Sequence, residues 1–223
     1  MDSLAIATVI GAIASYFICG IPFGFLIAAK MSGIDVRSAG SGNIGMTNVA
    51  RTAGGKAAAL TFGCDVGKGA LCVVLFRWLI AMFCLGGDVA MLAHNGPFAW
   101  VGSTLFMASV LGHVFSPYLH FKGGKGIAVG LGASLGFYWP IGLCALGVFI
   151  LLVIPKRYIS LGSIAAAISM PIFSFVWGVR GPSLIPVVIL SIVVVWSHRE
   201  NIGRLVRGEE RKFSIRHDKD GEK

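Results

Sequence analysis

The 223-residue sequence predicts an all-α integral membrane protein: a polytopic bundle of about seven transmembrane helices, N-terminus outside and C-terminus cytoplasmic. Three observations predict it. Hydrophobic residues make up 56% of the chain and charged residues 13%, against about 25% charged in a soluble domain. Mean hydropathy is +0.81, and several apolar runs reach the roughly 20 residues a helix needs to cross a bilayer. Lys and Arg gather in a few short segments, and the side that holds them is cytoplasmic. The length leaves room for one membrane domain, 1–223, and no separate soluble one.

The first apolar run, 4–29, is too long for a signal-peptide core and shows no small-residue cleavage site, so it reads as a retained helix. Runs at 57–85, 98–115, 127–154, 160–179 and 183–197 follow. The fourth is interrupted by Gly136-Phe137-Tyr138-Trp139-Pro140, and Gly with Pro marks a break in a helix. Charge decides how to count it. Loop 30–56 carries Lys30, Arg37, Arg51 and Lys56, and loop 113–126 carries Lys122 and Lys125. Lys156 and Arg157 follow the fourth run, the tail 198–223 is strongly basic, and loop 86–97 has no Lys or Arg. A hairpin of two short helices bent at Pro140 puts all four basic regions on one side. Only Arg180 is then left outside, with Lys68 and Arg77 inside a segment. That arrangement has seven helices. Its first short helix, 127–137, spans only about 16 Å, so it is tilted, re-entrant or extended by the preceding loop.

The 31 glycines fit close helix packing. The five cysteines, Cys19, Cys64, Cys72, Cys84 and Cys144, lie in apolar segments without a CxxC pair and read as small buried hydrophobes. No metal site, cofactor or nucleic-acid partner is expected; the lipid bilayer is.

Three polar motifs then converge on the cytoplasmic face. The first is Gly40-Ser41-Gly42-Asn43-Ile44-Gly45-Met46-Thr47-Asn48-Val49-Ala50-Arg51. Its glycines, Gly42 among them, allow positive φ and close approach to a ligand. Ser41, Asn43, Thr47 and Asn48 offer neutral hydrogen bonds, and Arg51 can grip phosphate bidentately. Exposed backbone amides would make it an anion-binding nest; the bland alternative is a capped connector. The second motif runs from His113 to Phe121-Lys122-Gly123-Gly124-Lys125-Gly126. Two point charges beside open amides, just before a helix, suit an anion, or else a lipid-headgroup anchor. The third opens where the last run ends. His198, Asn201 and Arg204 share a helical face at three-residue spacing, either as site residues or as part of an interfacial helix. Within the second run, Asp65 and Lys68 sit at i,i+3, where they pair with each other or meet substrate. Ser160 opens a helix on the same side, as an N-cap or a substrate contact. Arg77 has no evident partner.

These motifs resemble those of the bacterial acyl-phosphate-dependent glycerol-3-phosphate acyltransferases, whose members carry GSGNxGxTNxxR, GHxF…FKGGKG and HxENIxRLxxGxE segments. Here they fall at 40–51, 112–126 and 198–209, in order and along nearly the whole chain. Ser116 before Pro117 and Met46 at a variable site are small departures. The resemblance implies transfer of a fatty acyl group from acyl phosphate to glycerol 3-phosphate. The products would be 1-acylglycerol 3-phosphate (lysophosphatidate) and phosphate, in the first step of phospholipid biosynthesis at the bacterial inner membrane. An enzyme supplying the acyl phosphate would be a functional partner. The His-x4-Asp box of soluble-domain acyltransferases is absent from the sequence. An acyl phosphate is already activated, so positioning and charge neutralisation remain as the catalytic work. His198, Asn201, Ser41 and Asn43 are expected to be catalytic. Gly42, Thr47, Asn48, Arg51, Lys68, His113, Lys122, Lys125, Ser160 and Arg204 are expected to bind substrate or phosphate. The rival function is a transporter of a small phosphate ester, which would place its polar groups near the bilayer midplane.

Overall fold

The structure, a computed structural model, describes residues 2–213; the expected tail beyond residue 213 lies outside the described residues. The α-helices are α1 (Asp2–Gly20), α2 (Phe23–Ser32), α3 (Met46–Thr52), α4 (Gly55–Cys84), α5 (Ala99–Val114), α6 (Ile127–Lys156), α7 (Ile159–Val176), α8 (Ile185–Ser197) and α9 (Arg199–Val206). Five helical stretches are long and apolar enough to cross a membrane. A sixth joins the 181–197 stretch to α9 across a 56° bend at His198. The chain is therefore an all-helical membrane protein.

The first run is two helices rather than one, broken at Ile21-Pro22. Proline at position 22 cannot donate to the preceding turn, so the helix stops, and Lys68 Nζ takes the Ile21 carbonyl at 2.8 Å. Glycines set the main crossings. A side chain on Gly132 of α6 would collide with the Val66 carbonyl of α4, and one on Gly112 of α5 with the Tyr16 carbonyl of α1. The α4–α6 and α1–α5 pairs are accordingly the most extensive helix contacts in the bundle.

The expected break in the fourth run is present, at Tyr138 (φ −160°, ψ 108°) rather than at Pro140. The chain doubles back there. A Cβ on Gly142 would lie 2.7 Å from Ser134 Oγ, whereas eight residues of continuous helix span about 12 Å. Pro140 has no N–H for the Gly136 carbonyl. Arg77 supplies the missing donor: Nη1 reaches the Gly136 and Phe137 carbonyls at 3.0 Å each, and Nη2 the Leu92 carbonyl at 2.9 Å. That accounts for the arginine for which the sequence offered no partner. Tyr138 is wedged by His94, stacked at 3.6 Å between centroids, and by Trp177 edge-on. The same logic recurs in α7. Pro171 orphans the Ala167 carbonyl, and Ser191 of α8 donates to it at 2.7 Å.

Candidate active site

One cavity of about 490 Å³ joins all three motifs to the interior of the bundle. Its polar end is bordered by Ser41, Asn43, Thr47, Asn48 and Arg51 from the first loop, Lys125 from the second, and His198, Asn201 and Arg204 from the third. His113 and Ser160 also border it. Its other end is apolar, walled by residues such as Val110, Leu131, Leu146, Phe149, Met170 and Leu190 from α5 to α8. The hairpin in α6 makes this shape: Ile127 and Phe149, from opposite arms, face the same space.

The first loop is built by Asn48, which is 2% exposed. Its Oδ1 accepts from Ser41 N at 2.8 Å, and its Nδ2 donates to the carbonyls of Val36, Ala39 and Asn43. Asn43 Oδ1 accepts from Gly45 N at 2.8 Å, and Gly42 N donates to Ala39 O. These amides are thus spent on the loop itself, not offered as a nest. Gly42 serves through its left-handed φ of 70° and does not line the cavity. What the loop presents is side chains: Ser41, Thr47 and Arg51 make no side-chain-to-side-chain bond among the described residues.

The second loop differs from expectation in the same way. Gly123 N and Gly124 N donate to the Val114 and His113 carbonyls, the orphan acceptors at the end of α5. A side chain at Gly124 would collide with the His113 ring, so glycine is required where loop and imidazole meet. Lys125 turns into the cavity and donates to Asn201 Oδ1, whereas Lys122 is exposed and outside it. Lys68 is not in the cavity either: its ammonium is held by Asp65 Oδ1 at 2.7 Å and by the Ile21 carbonyl. Ser160 is not the helix cap. Tyr158 occupies that position, and Ser160, buried at the start of α7, turns its hydroxyl toward Glu210.

Four cations, Arg51, Lys125, Arg204 and Arg211, border the polar end, against the carboxylate of Glu210. Burial, then the Arg211 charge, pushes Arg51 below its ordinary value; burial, then Arg204, does the same to Lys125. Both shifts come first from burial, which disfavours a charged side chain. Glu210 is a residue the sequence left unremarked. Burial works to raise it, but the hydrogen bonds it accepts outweigh this and hold it below the usual carboxylate value. Asn201 Nδ2 donates to its Oε1 and Arg204 Nε to its Oε2, each at 2.8 Å. The only signal for it was the closing glutamate of the third motif, which falls on position 210 and not within 198–209. His198, beyond the end of α8, has Nδ1 2.8 Å from the Val194 carbonyl. A carbonyl only accepts, so Nδ1 carries the proton and Nε2 keeps its lone pair. Among the described residues no group of three His, Cys, Asp or Glu could hold a metal.

The family described as glycerol-3-phosphate acyltransferase matches residues 9–208. The chain belongs to that family. A relative from Trichlorobacter lovleyi, named glycerol-3-phosphate acyltransferase, is 46% identical over 200 residues, covering 89% of this chain and 94% of its own. One of the same name from Prochlorococcus marinus (strain NATL1A) is 37% identical over 199 residues, covering 87% and 92%. The crystal structure of PlsY (YgiH), an integral membrane glycerol 3-phosphate acyltransferase, in its glycerol 3-phosphate form, superposes with a TM-score of 0.79. It is 36% identical, and the match covers 93% of this chain and 96% of that one. The lysophosphatidic acid form gives a TM-score of 0.77. The chain is thus an acyltransferase.

Proposed function

We propose that this protein moves a fatty acyl group from acyl phosphate to glycerol 3-phosphate, releasing 1-acylglycerol 3-phosphate and inorganic phosphate. One observation carries the proposal: a single cavity that is cationic at one end and apolar along the rest. Both substrates bear a phosphate, and one bears a long chain. Arg51, Lys125 and Arg204 neutralise phosphate, while Ser41, Asn43, Thr47 and Ser160 hydrogen-bond its oxygens or the glycerol. The acyl chain lies between α5, α6, α7 and α8. Asn48 and Gly42 shape the loop, and Lys68 and Lys122 stand behind the site rather than in it. Asn201 and His198 orient the attacking hydroxyl.

His198 meets the attacking hydroxyl through Nε2, the ring atom that its Val194 bond leaves free. A substrate phosphate, with second pKa near 6, takes the proton as the hydroxyl attacks the acyl carbonyl. The carbonyl carbon–phosphate oxygen bond then breaks and phosphate leaves. Cationic side chains stabilise the charge throughout.

The site faces the cytoplasm of a bacterial inner membrane. Seven spans, with α6 counted as two, put the N-terminus outside and the C-terminus inside, in one membrane domain. The Gly142–Ser134 approach and the one-sided basic loops support this topology. A partner enzyme supplies the acyl phosphate. Purified protein given glycerol 3-phosphate with palmitoyl phosphate, palmitoyl-CoA or palmitoyl acyl carrier protein tests the donor. Lysophosphatidate from the acyl phosphate alone is expected. Product from a thioester instead overturns the donor, and uptake into vesicles without product revives the transporter.

A further inference from the structure

Asp65 is the group in the cavity that phosphate chemistry does not explain. It sits on α4, is 1% exposed, and borders the cavity, while its ion-pair partner Lys68 does not. Lys68 Nζ lies 2.7 Å from Asp65 Oδ1 and 3.2 Å from His113 Nδ1, and His113 Nδ1 lies 3.8 Å from the same carboxylate oxygen. Apart from that Lys68 ion pair, no hydrogen bond to the Asp65 carboxylate forms among the described residues. Glu210, the other carboxylate of the cavity, has both oxygens engaged by Asn201 and Arg204.

A carboxylate only accepts hydrogen bonds, and it repels the phosphate of either substrate. The part of the bound substrates that can approach it is a neutral hydroxyl. The His113 ring packs against Gly124, next to Lys125. The His113 ring thus stands between Asp65 and the loop that carries Lys125, and Asp65 and Lys125 border the same cavity. A glycerol phosphate has two hydroxyls. One attacks the acyl group; the other survives unacylated and needs an acceptor.

Resting on the acyl-transfer reaction proposed above, we infer that Asp65 accepts a hydrogen bond from the acceptor's unacylated hydroxyl, so that the site selects a diol phosphate. A buried acceptor placed for a hydroxyl is left unpaired by a substrate lacking it, and discrimination by such groups is large. Lys68 and the Ile21 carbonyl keep Asp65 in place at the α1–α2 break.

The test compares kcat/KM for glycerol 3-phosphate and for 3-hydroxypropyl phosphate, which lacks the middle hydroxyl, with palmitoyl phosphate as donor. Wild type, Asp65→Asn and Asp65→Ala are measured on the full chain in detergent, with thermal unfolding as the check on folding. Wild type is expected to favour glycerol 3-phosphate by at least about 100-fold. Asp65→Ala should bring that preference within about tenfold, by losing glycerol 3-phosphate turnover and keeping most of the deoxy acceptor's. Loss on both acceptors in equal proportion overturns the proposal, because a scaffold defect does not read one hydroxyl. So does a wild-type preference near unity, or failure of both variants to fold. If wild type acylates neither acceptor, the acyl-transfer reaction itself has failed.

Discussion

The two ends of the helical bundle handle buried polarity in opposite ways. At the α6 break, Arg77 is a full charge in a membrane segment, yet it is closed off by three backbone carbonyls, with only its Nε unpaired. At the cavity end, Arg51 makes no side-chain hydrogen bond among the described residues, and Lys125 has a single partner, Asn201. An arginine in a span is usually read as functional. The contrast shows that its unspent hydrogen-bonding capacity, facing a cavity, is the better sign. Arg77 replaces a donor that Pro140 cannot supply; Arg51 and Lys125 wait for a ligand.

The largest expected effect separates the ends directly. Arg51→Ala or Lys125→Ala should lower kcat/KM for glycerol 3-phosphate by about 10²–10³-fold, the scale of one lost charge-stabilising donor. The unfolding midpoint in detergent should hardly move. Arg77→Leu should do the reverse. It leaves three buried carbonyls unpaired, a cost on the order of 3 kcal/mol of stability, while KM stays close to wild type in whatever fraction folds. Arg77→Lys should rescue little, since one ammonium does not span three carbonyls as a planar fork does. Steady-state kinetics and thermal unfolding on the same preparations measure both. An Arg77 variant that is stable but inactive would erase the distinction.

A smaller effect sharpens it through pH. Burial holds Lys125 below the ordinary lysine value, so its ammonium is lost earlier as pH rises. The free enzyme should therefore lose kcat/KM on an alkaline limb lying below the normal lysine range, since kcat/KM reports free-enzyme groups. Lys125→Arg keeps its charge across that range and should flatten the limb, even if its absolute rate is lower. An unshifted limb in Lys125→Arg would assign the titration elsewhere.

Much of this was legible because polar residues stand out in an apolar chain. Ser41, Asn43, Thr47, Asn48, Arg51, Lys125 and the His198–Asn201–Arg204 face were visible as spacing alone, and they border one cavity. The α6 break was visible in Gly136 and Pro140, and it lies two residues early because Tyr138 is pinned by His94 and Trp177. What sequence withheld is where each group spends its bonds. Nothing in Asn48 says that its amide folds a loop rather than meets a ligand. Nothing in Gly123-Gly124 says that their amides cap α5. Glu210 lay hidden in a strongly basic tail, and the break at Pro22 was masked by unbroken hydropathy.

The smallest expected effect is the sharpest check on bond accounting, because it sets two lysines three residues apart against each other. Lys122 and Lys125 flank the same glycine pair and look equivalent in sequence. Lys122 is exposed and outside the cavity, while Lys125 is turned inward onto Asn201. An exposed charge acts on substrate only through screened, longer-range attraction. Lys122→Ala should therefore raise the glycerol 3-phosphate KM by no more than about threefold, and the difference should vanish as salt approaches 1 M, where the Debye length is near 3 Å. The Lys125→Ala defect should persist at that salt. Equal, salt-insensitive losses in the two variants would mean that Lys122 swings in to grip phosphate when substrate binds.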